Sequence, residues 1–168
     1  EISRISSGKI ELRQAPANLA VVLRNAIEAS MSLINEKEHK LSVFIPEAPL
    51  IVYADAVRLE QVFRNLLNNA ARYTRKGGQI WLTAHQEDED AVVSVRDNGI
   101  GILAGMVPRL FDMFAQERRN GVGTQEGLGI GLNLVARLLQ MHGGSVEAMS
   151  GGRDRGSEFV VRLPLPEK

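Results

Sequence analysis

The chain has 168 residues, 20 lysines and arginines against 20 aspartates and glutamates, and no cysteine. That length fits one domain with a full core, and the cancelling charges create no global field toward nucleic acid or an acidic membrane surface. Without cysteine there are no disulfides or thiolate metal sites; no apolar run reaches transmembrane length, and the first residues do not read as a signal peptide.

In chain order, Lys9–Arg13 reads as a first strand. Leu19–Asn35 follows as a helix, with Leu19, Val22, Leu23, Ala26, Ile27, Met31 and Ile34 at helical spacing. Leu41–Ile45 and Ile51–Tyr53 read as strands. Val57–Tyr73 is the next helix, with Asp55 as its N-cap and one apolar stripe through Leu59, Val62, Phe63, Leu66, Leu67 and Ala70. Strand patterns fall at Gln79–His85 and Ala91–Arg96, a third helix at Leu132–Met141, and further strands at Ser145–Ala148 and Glu158–Leu163. Turn-rich stretches at Lys76-Gly77-Gly78 and Glu87 to Asp90 favour hairpin connections. The expected fold is an α+β two-layer sandwich, three helices on a mostly antiparallel mixed sheet.

Three stretches carry chemistry. The strand Ala91–Arg96 runs into Asp97-Asn98-Gly99-Ile100-Gly101-Ile102, which sets a carboxylate at a strand end before flexible backbone. An ionised carboxylate only accepts hydrogen bonds, so it suits an exocyclic amine such as that of adenine; the bland alternative is a solvated turn. In the second helix Asn65 and Asn69 share a face, with Arg72 and Tyr73 about a turn further on. Asparagine is a poor helix former, so Asn65, Asn68 and Asn69 need a compensating role, or else they simply face solvent. An amide oxygen suits Mg²⁺, and an amide NH₂ can donate to phosphate. Third, Gly127-Leu128-Gly129-Ile130-Gly131-Leu132 leads into the third helix, whose free N–H groups and dipole favour an anion, although a hinge would use the same glycines. This loop fits neither a Walker-type phosphate loop nor the dinucleotide fingerprint.

Together these stretches resemble the ATP-binding domain of sensor histidine kinases, in the wider family of gyrase, MutL and heat-shock chaperone ATPases. Asn65 to Thr74 matches the N box, Asp97 to Gly101 the first glycine box, Leu110 to Phe114 the F box and Gly127 to Leu132 the second glycine box. His142-Gly143-Gly144, Gly156-Ser157-Glu158-Phe159 and Leu163-Pro164 match the family's ending. The resemblance covers about Leu12 to Leu165.

The resemblance implies an ATP site with Mg²⁺ as cofactor. Asp97 would take the adenine amine, with Gly99 in the same turn and Gly101 and Ser157 assisting through water. Asn69, with Asn65, would hold the metal and phosphates. Arg72 would face phosphate, and Tyr73 would lie near ribose or base. Gly127, Gly129 and Gly131, with Leu128, Ile130 and Leu132 between and beyond them, would present backbone N–H groups to the phosphates. Leu128 departs from the usual Thr or Ser, which removes a hydroxyl contact. Ile102 to Glu126 would form a mobile lid, in which Arg118 and Arg119 are either γ-phosphate contacts or solvated charges.

Hydrolytic relatives carry a glutamate as general base where this chain has Asn65, and an amide cannot take a proton from water near neutral pH. Glu60 lies one residue off that face. Rapid ATP hydrolysis is therefore not expected and transfer to a protein imidazole fits better; the resemblance implies that this histidine sits on a separate helical-hairpin domain, with Asn65 in the catalytic position. None of His39, His85 and His142 has the acceptor context, and His142 reads as favouring a helix C-terminus through the dipole. Residues Glu1 to Gly8 resemble the end of the hairpin's second helix, with the catalytic domain from residue 9 to 168.

The implied partners are that phosphoacceptor hairpin and a response regulator or receiver domain, with no nucleic acid and no direct membrane insertion. The implied setting is cytoplasmic, under a parent kinase that can itself be membrane-anchored. A gyrase- or chaperone-type ATPase and a nucleotide-gated interaction module without transfer remain as alternatives. Trp81 reads as packing or a partial surface anchor, and Phe111 and Phe114 read as either core or a docking face.

Overall fold

In a computed structural model, residues 10–111 and 128–166 are described, with the backbone alone for 104 and 128–130. Strand β1 (Ala15–Asn18) leads directly into helix α1 (Leu19–Glu36), and the Asn18 side chain caps that helix by accepting from the Ala20 N–H at 3.0 Å. Strands β2 (Lys40–Phe44) and β3 (Ile51–Ala54) follow, then helix α2 (Ala56–Arg72), the hairpin of β4 (Gln79–Glu87) and β5 (Asp90–Asp97), a 3₁₀ segment (Ala104–Arg109), helix α3 (Leu128–Met141), and strands β6 (Ser145–Met149) and β7 (Ser157–Pro164).

The first strand differs from the sequence expectation of Lys9–Arg13. Residues 10–14 adopt no regular element, and pairing begins at Ala15 opposite Ala54 of β3. The apolar alternation of Ile10 and Leu12 reflects packing rather than pairing: Ile10 is buried and Leu12 packs on the core. Pro16 is tolerated because this ladder has two strands and leaves free edges. Asp55 caps α2 as expected, accepting from Arg58 N–H at 3.3 Å, and its second oxygen accepts from Arg13 N–H at 3.0 Å.

The main sheet has the order β2-β4-β5-β7-β6, parallel only between β2 and β4. Alternation divides its faces. Ile80, Leu82 and Ala84, then Ala91, Val93 and Val95, then Phe159, Val161 and Leu163 are buried against the helices. On the opposite face Arg96 stacks over the Trp81 ring at 4.3 Å, so Trp81 is a partly covered surface aromatic. Core-facing positions of β5 are the odd-numbered ones, and the last of them is Asp97. A carboxylate thus occupies a position whose predecessors are all apolar. Helix α2 sits centrally, burying Leu59, Phe63, Leu66 and Leu67 completely or nearly so.

His142 does more than complement a helix dipole. Its Nδ1 donates to Leu138 O at 2.7 Å, and its Nε2 accepts from the Asp55 backbone N–H at 3.1 Å. The ring is 6% exposed and ties the end of α3 to the N-cap of α2. Gly143, at φ 75°, and Gly144, whose N–H reaches Leu139 O at 2.8 Å, finish α3 as the sequence implied. No helix among the described residues is long and apolar enough to cross a membrane.

Candidate functional site

A cavity of about 580 Å³ opens between α2, the turn after β5, the 3₁₀ segment and the start of β7. From α2 it receives Asn69, Ala70 and Tyr73; from β5 and its turn, Asp97, Ile100 and Gly101; from β7, Ser157 and Phe159. Ile102, Leu103, Met106 and Leu110 give it an apolar wall.

Asp97 stands at its floor, 6% exposed. One carboxylate oxygen accepts from the Gly99 N–H at 2.8 Å and the other from the Ser157 hydroxyl at 2.9 Å. Burial raises its pKa above the ordinary aspartate value of 3.8, and the bonds from Gly99 and Ser157 pull against that rise. An ionised carboxylate offers about four lone-pair sites, more than Gly99 and Ser157 occupy, so the group can accept from an amine entering the cavity. A ring amine fits this acceptor; a ring carbonyl in its place would set oxygen against oxygen.

The glycines around Asp97 are required by close approach. A Cβ on Gly99 would strike Tyr73 O and stand 2.7 Å from Thr74 Oγ1. Gly101, at φ 77°, would strike Gly152 O. Backbone bonds lock the surrounding turns: Ile100 N–H to Tyr73 O at 3.0 Å, Asp154 N–H to Ile100 O at 2.6 Å, and Gly156 N–H to Gly99 O at 3.1 Å.

Asn69 is 7% exposed, and its Nδ2 has no partner among the described residues. A buried amide left unsatisfied costs about 1–3 kcal/mol, which a bound oxygen ligand would offset. Gly131 of α3 faces it: a Cβ there would lie 3.9 Å from Asn69 Nδ2. Leu128, Gly129, Ile130, Gly131 and Leu132 form the opening turn of α3, where the leading backbone N–H groups lack intrahelical partners. Leu132 itself is fully buried core. Gly127 lies outside the described residues, as do Arg118, Arg119, Phe114 and most of the expected lid.

The remaining expected residues stand apart from the cavity. Asn65 is half-buried one turn before Asn69 and does not line it. Arg72 is exposed, and its carbonyl accepts from Lys37 Nζ at 3.4 Å. Glu60 bonds Asn25 of α1 at 3.0 Å, well away from the site. Phe111 packs edge-on against Phe159, with ring centroids 6.3 Å apart, which makes it a partly buried core residue. No histidine lines the cavity: His85 is exposed beside Glu87, while His39 and His142 are buried and bonded elsewhere.

Arg75, Arg153 and Asp154 were not anticipated. They line the cavity, and Arg75 Nη2 meets Asp154 Oδ1 at 2.7 Å. The signal available was their position, Arg75 directly after the N-box threonine and Asp154 three residues before Ser157. Among the described residues no group of three or more His, Cys, Asp or Glu side chains could hold a metal. A hard cation here would rely on the Asn69 amide oxygen and on oxygens of the nucleotide, a donor set that suits Mg²⁺.

Residues 54–167 match the family model described as histidine kinase-, DNA gyrase B-, and HSP90-like ATPase. The sensor histidine kinase RcsC of Escherichia coli (strain K12) is 33% identical over 169 residues, which is 98% of this chain and 17% of RcsC. YclK of Bacillus subtilis (strain 168), also a sensor histidine kinase, is 30% identical over 169 residues, all of this chain and 35% of YclK. The chain thus spans between about a sixth and a third of these relatives. The crystal structure of full-length ShkA in complex with AMPPNP superposes with a TM-score of 0.83 at 29% identity, covering 99% of this chain and 34% of ShkA. With the carboxylate, the amide and the first glycine turn together on that fold, the chain belongs to the histidine kinase-, DNA gyrase B- and HSP90-like ATPase family, like these sensor histidine kinases.

Proposed function

We propose that this chain is the ATP-binding half of a sensor histidine kinase and donates the γ-phosphoryl group to a histidine on a separate hairpin domain. The observation that carries this is the buried Asp97 carboxylate, fixed by Gly99 and Ser157, facing the same cavity as the unpartnered Asn69 amide.

Asp97 accepts from the adenine amine, and Ser157 and Gly101 border that contact. Tyr73 flanks the base or ribose. Asn69, with Asn65 one turn away, holds phosphate oxygens and the metal. The first amides of α3, with Gly127 before them, meet the phosphates. Bound Mg²⁺ would screen the charge gathering on the phosphate oxygens as the terminal group departs. In transfer, the bond between the γ-phosphorus and the β–γ bridging oxygen breaks. Its electron pair leaves with ADP, and a bond forms to the acceptor imidazole nitrogen, whose own lone pair attacks. That nucleophile needs no base for activation, which agrees with an amide at Asn65. The remaining work is positioning and charge stabilisation.

Residues 1–8 then belong to the end of the hairpin, the phosphoryl group passes on to a response regulator or receiver domain, and the domain works in the cytoplasm. The test supplies Mg²⁺-ATP labelled at the γ position and a separately purified hairpin domain. Label on the hairpin histidine with little free phosphate supports the reading. Steady phosphate release without label transfer would instead assign a gyrase-type ATPase, and tight nucleotide binding with neither reaction would assign a nucleotide-gated interaction module.

A further inference from the structure

The turn between α1 and β2 carries a buried imidazole that the nucleotide chemistry above does not use. His39 is 8% exposed, and Glu38 before it turns the chain at φ 53°. Its Nε2 lies 3.0 Å from Thr74 O and 3.0 Å from Arg75 O. Carbonyls only accept, so Nε2 carries the proton and donates to both. Nδ1 is buried without a partner among the described residues. A buried acceptor left unmade costs free energy, so a smaller or apolar residue would serve better if the position were packing alone.

The two carbonyls belong to the segment that follows α2, in which Tyr73 and Arg75 line the cavity and Thr74 lies buried behind them. The same turn contacts the Asp97 turn, through Ile100 N–H to Tyr73 O. Thr74 between them is 1% exposed. The Cβ that Gly99 lacks would stand 2.7 Å from Thr74 Oγ1 and 3.0 Å from Asp97 Oδ1, so hydroxyl and carboxylate flank one glycine.

We propose that His39 is a positioning residue for base recognition: its single N–H clamps the Thr74 and Arg75 carbonyls and keeps the Tyr73–Arg75 wall in register with the Asp97 turn. The site's preference for an aminopurine over a purine lacking the amine then depends on a residue outside the cavity. This rests on the nucleotide-binding reading above.

The experiment measures binding of ATP and of purine riboside triphosphate, which lacks the amine, to the native chain and to His39→Leu, His39→Asn and His39→Gln, with a thermal melt of each. Glutamine can bring an N–H to the place of Nε2, asparagine is too short, and leucine has no donor. Leu and Asn variants should lose about tenfold in ATP affinity with little change for the analogue, and Gln should stay within about threefold of native. Folded Leu and Asn variants that bind ATP like the native chain overturn the inference, as does an equal loss for both nucleotides. If the Leu variant does not fold, Asn against Gln decides, and equal ATP affinities overturn it. A native chain that binds neither nucleotide refutes the nucleotide reading itself, and the inference with it.

Discussion

Asp97 carries opposed demands. Burial disfavours its charge, while acceptance from an amine uses that charge. Because its pKa is raised on folding, the folded chain holds the additional proton between the ordinary value of 3.8 and the raised one. Stability from this group therefore falls as pH rises through that window, whereas amine acceptance is lost as pH falls through it. Titration calorimetry should show ATP affinity declining on acidification from an onset above the ordinary aspartate range, a limb that Asp97→Asn lacks. In that variant Oδ1 can still accept from Gly99, and the amide can donate to Ser157 Oγ. Its melting temperature should equal or exceed that of the native chain while ATP affinity drops roughly 10- to 100-fold. Loss of folding in Asp97→Asn would show that the carboxylate is structural instead. The place of this carboxylate at a strand end was legible in the sequence because the strand pattern stops there; the Arg75–Asp154 pair was not, because its partners lie on loops 79 residues apart and no periodicity links them.

Among the elements, glycines divide into those the fold needs and those the ligand needs. Gly101→Ala combines a positive φ with a clash at Gly152 O, and should destabilise the chain by about 1–3 kcal/mol in chemical denaturation. Gly131→Ala meets only ordinary contact at 3.9 Å and gains helix propensity, so its stability should hold or rise by up to ~1 kcal/mol. Its methyl occupies space beside Asn69, and ATP affinity should fall about tenfold by calorimetry. Unchanged binding would remove Gly131 from the site. His142→Phe leaves the Asp55 N–H buried without its acceptor, a cost of about 2 kcal/mol and a melting shift of roughly 4–8 °C. Helices α1 and α2 and the central strands matched their sequence patterns because burial follows the 3.6 and 2 periods there. The first strand was misread because Ile10 and Leu12 alternate like a strand, while Pro16 argues locally against the one that forms. The His142 contact joins residues 87 apart, beyond the reach of local pattern.

At the scale of the molecule, β5 is the meeting point. It pairs with β4 beside it in sequence and with β7 some 60 residues later, Asp97 opposite Ser157. The hydroxyl that fixes the acceptor thus arrives only when β7 has docked, and the Gly156 N–H that braces Gly99 arrives with it. During synthesis, the base site therefore stays incomplete until nearly all of the sheet has been made. A chain halted before β7 can form the β4–β5 hairpin and α2, yet it offers a carboxylate with half its support. On the proposed reading, nucleotide would bind the finished fold in preference to one that lacks β7. By mass action, a ligand at 100 times its dissociation constant would deepen the native state by about 2.7 kcal/mol and leave unfinished chains untouched. On the proposed nucleotide reading, Mg²⁺-ATP would shield the finished fold from proteolysis and leave a chain lacking β7 as open to it as before, which limited proteolysis of both with and without nucleotide checks.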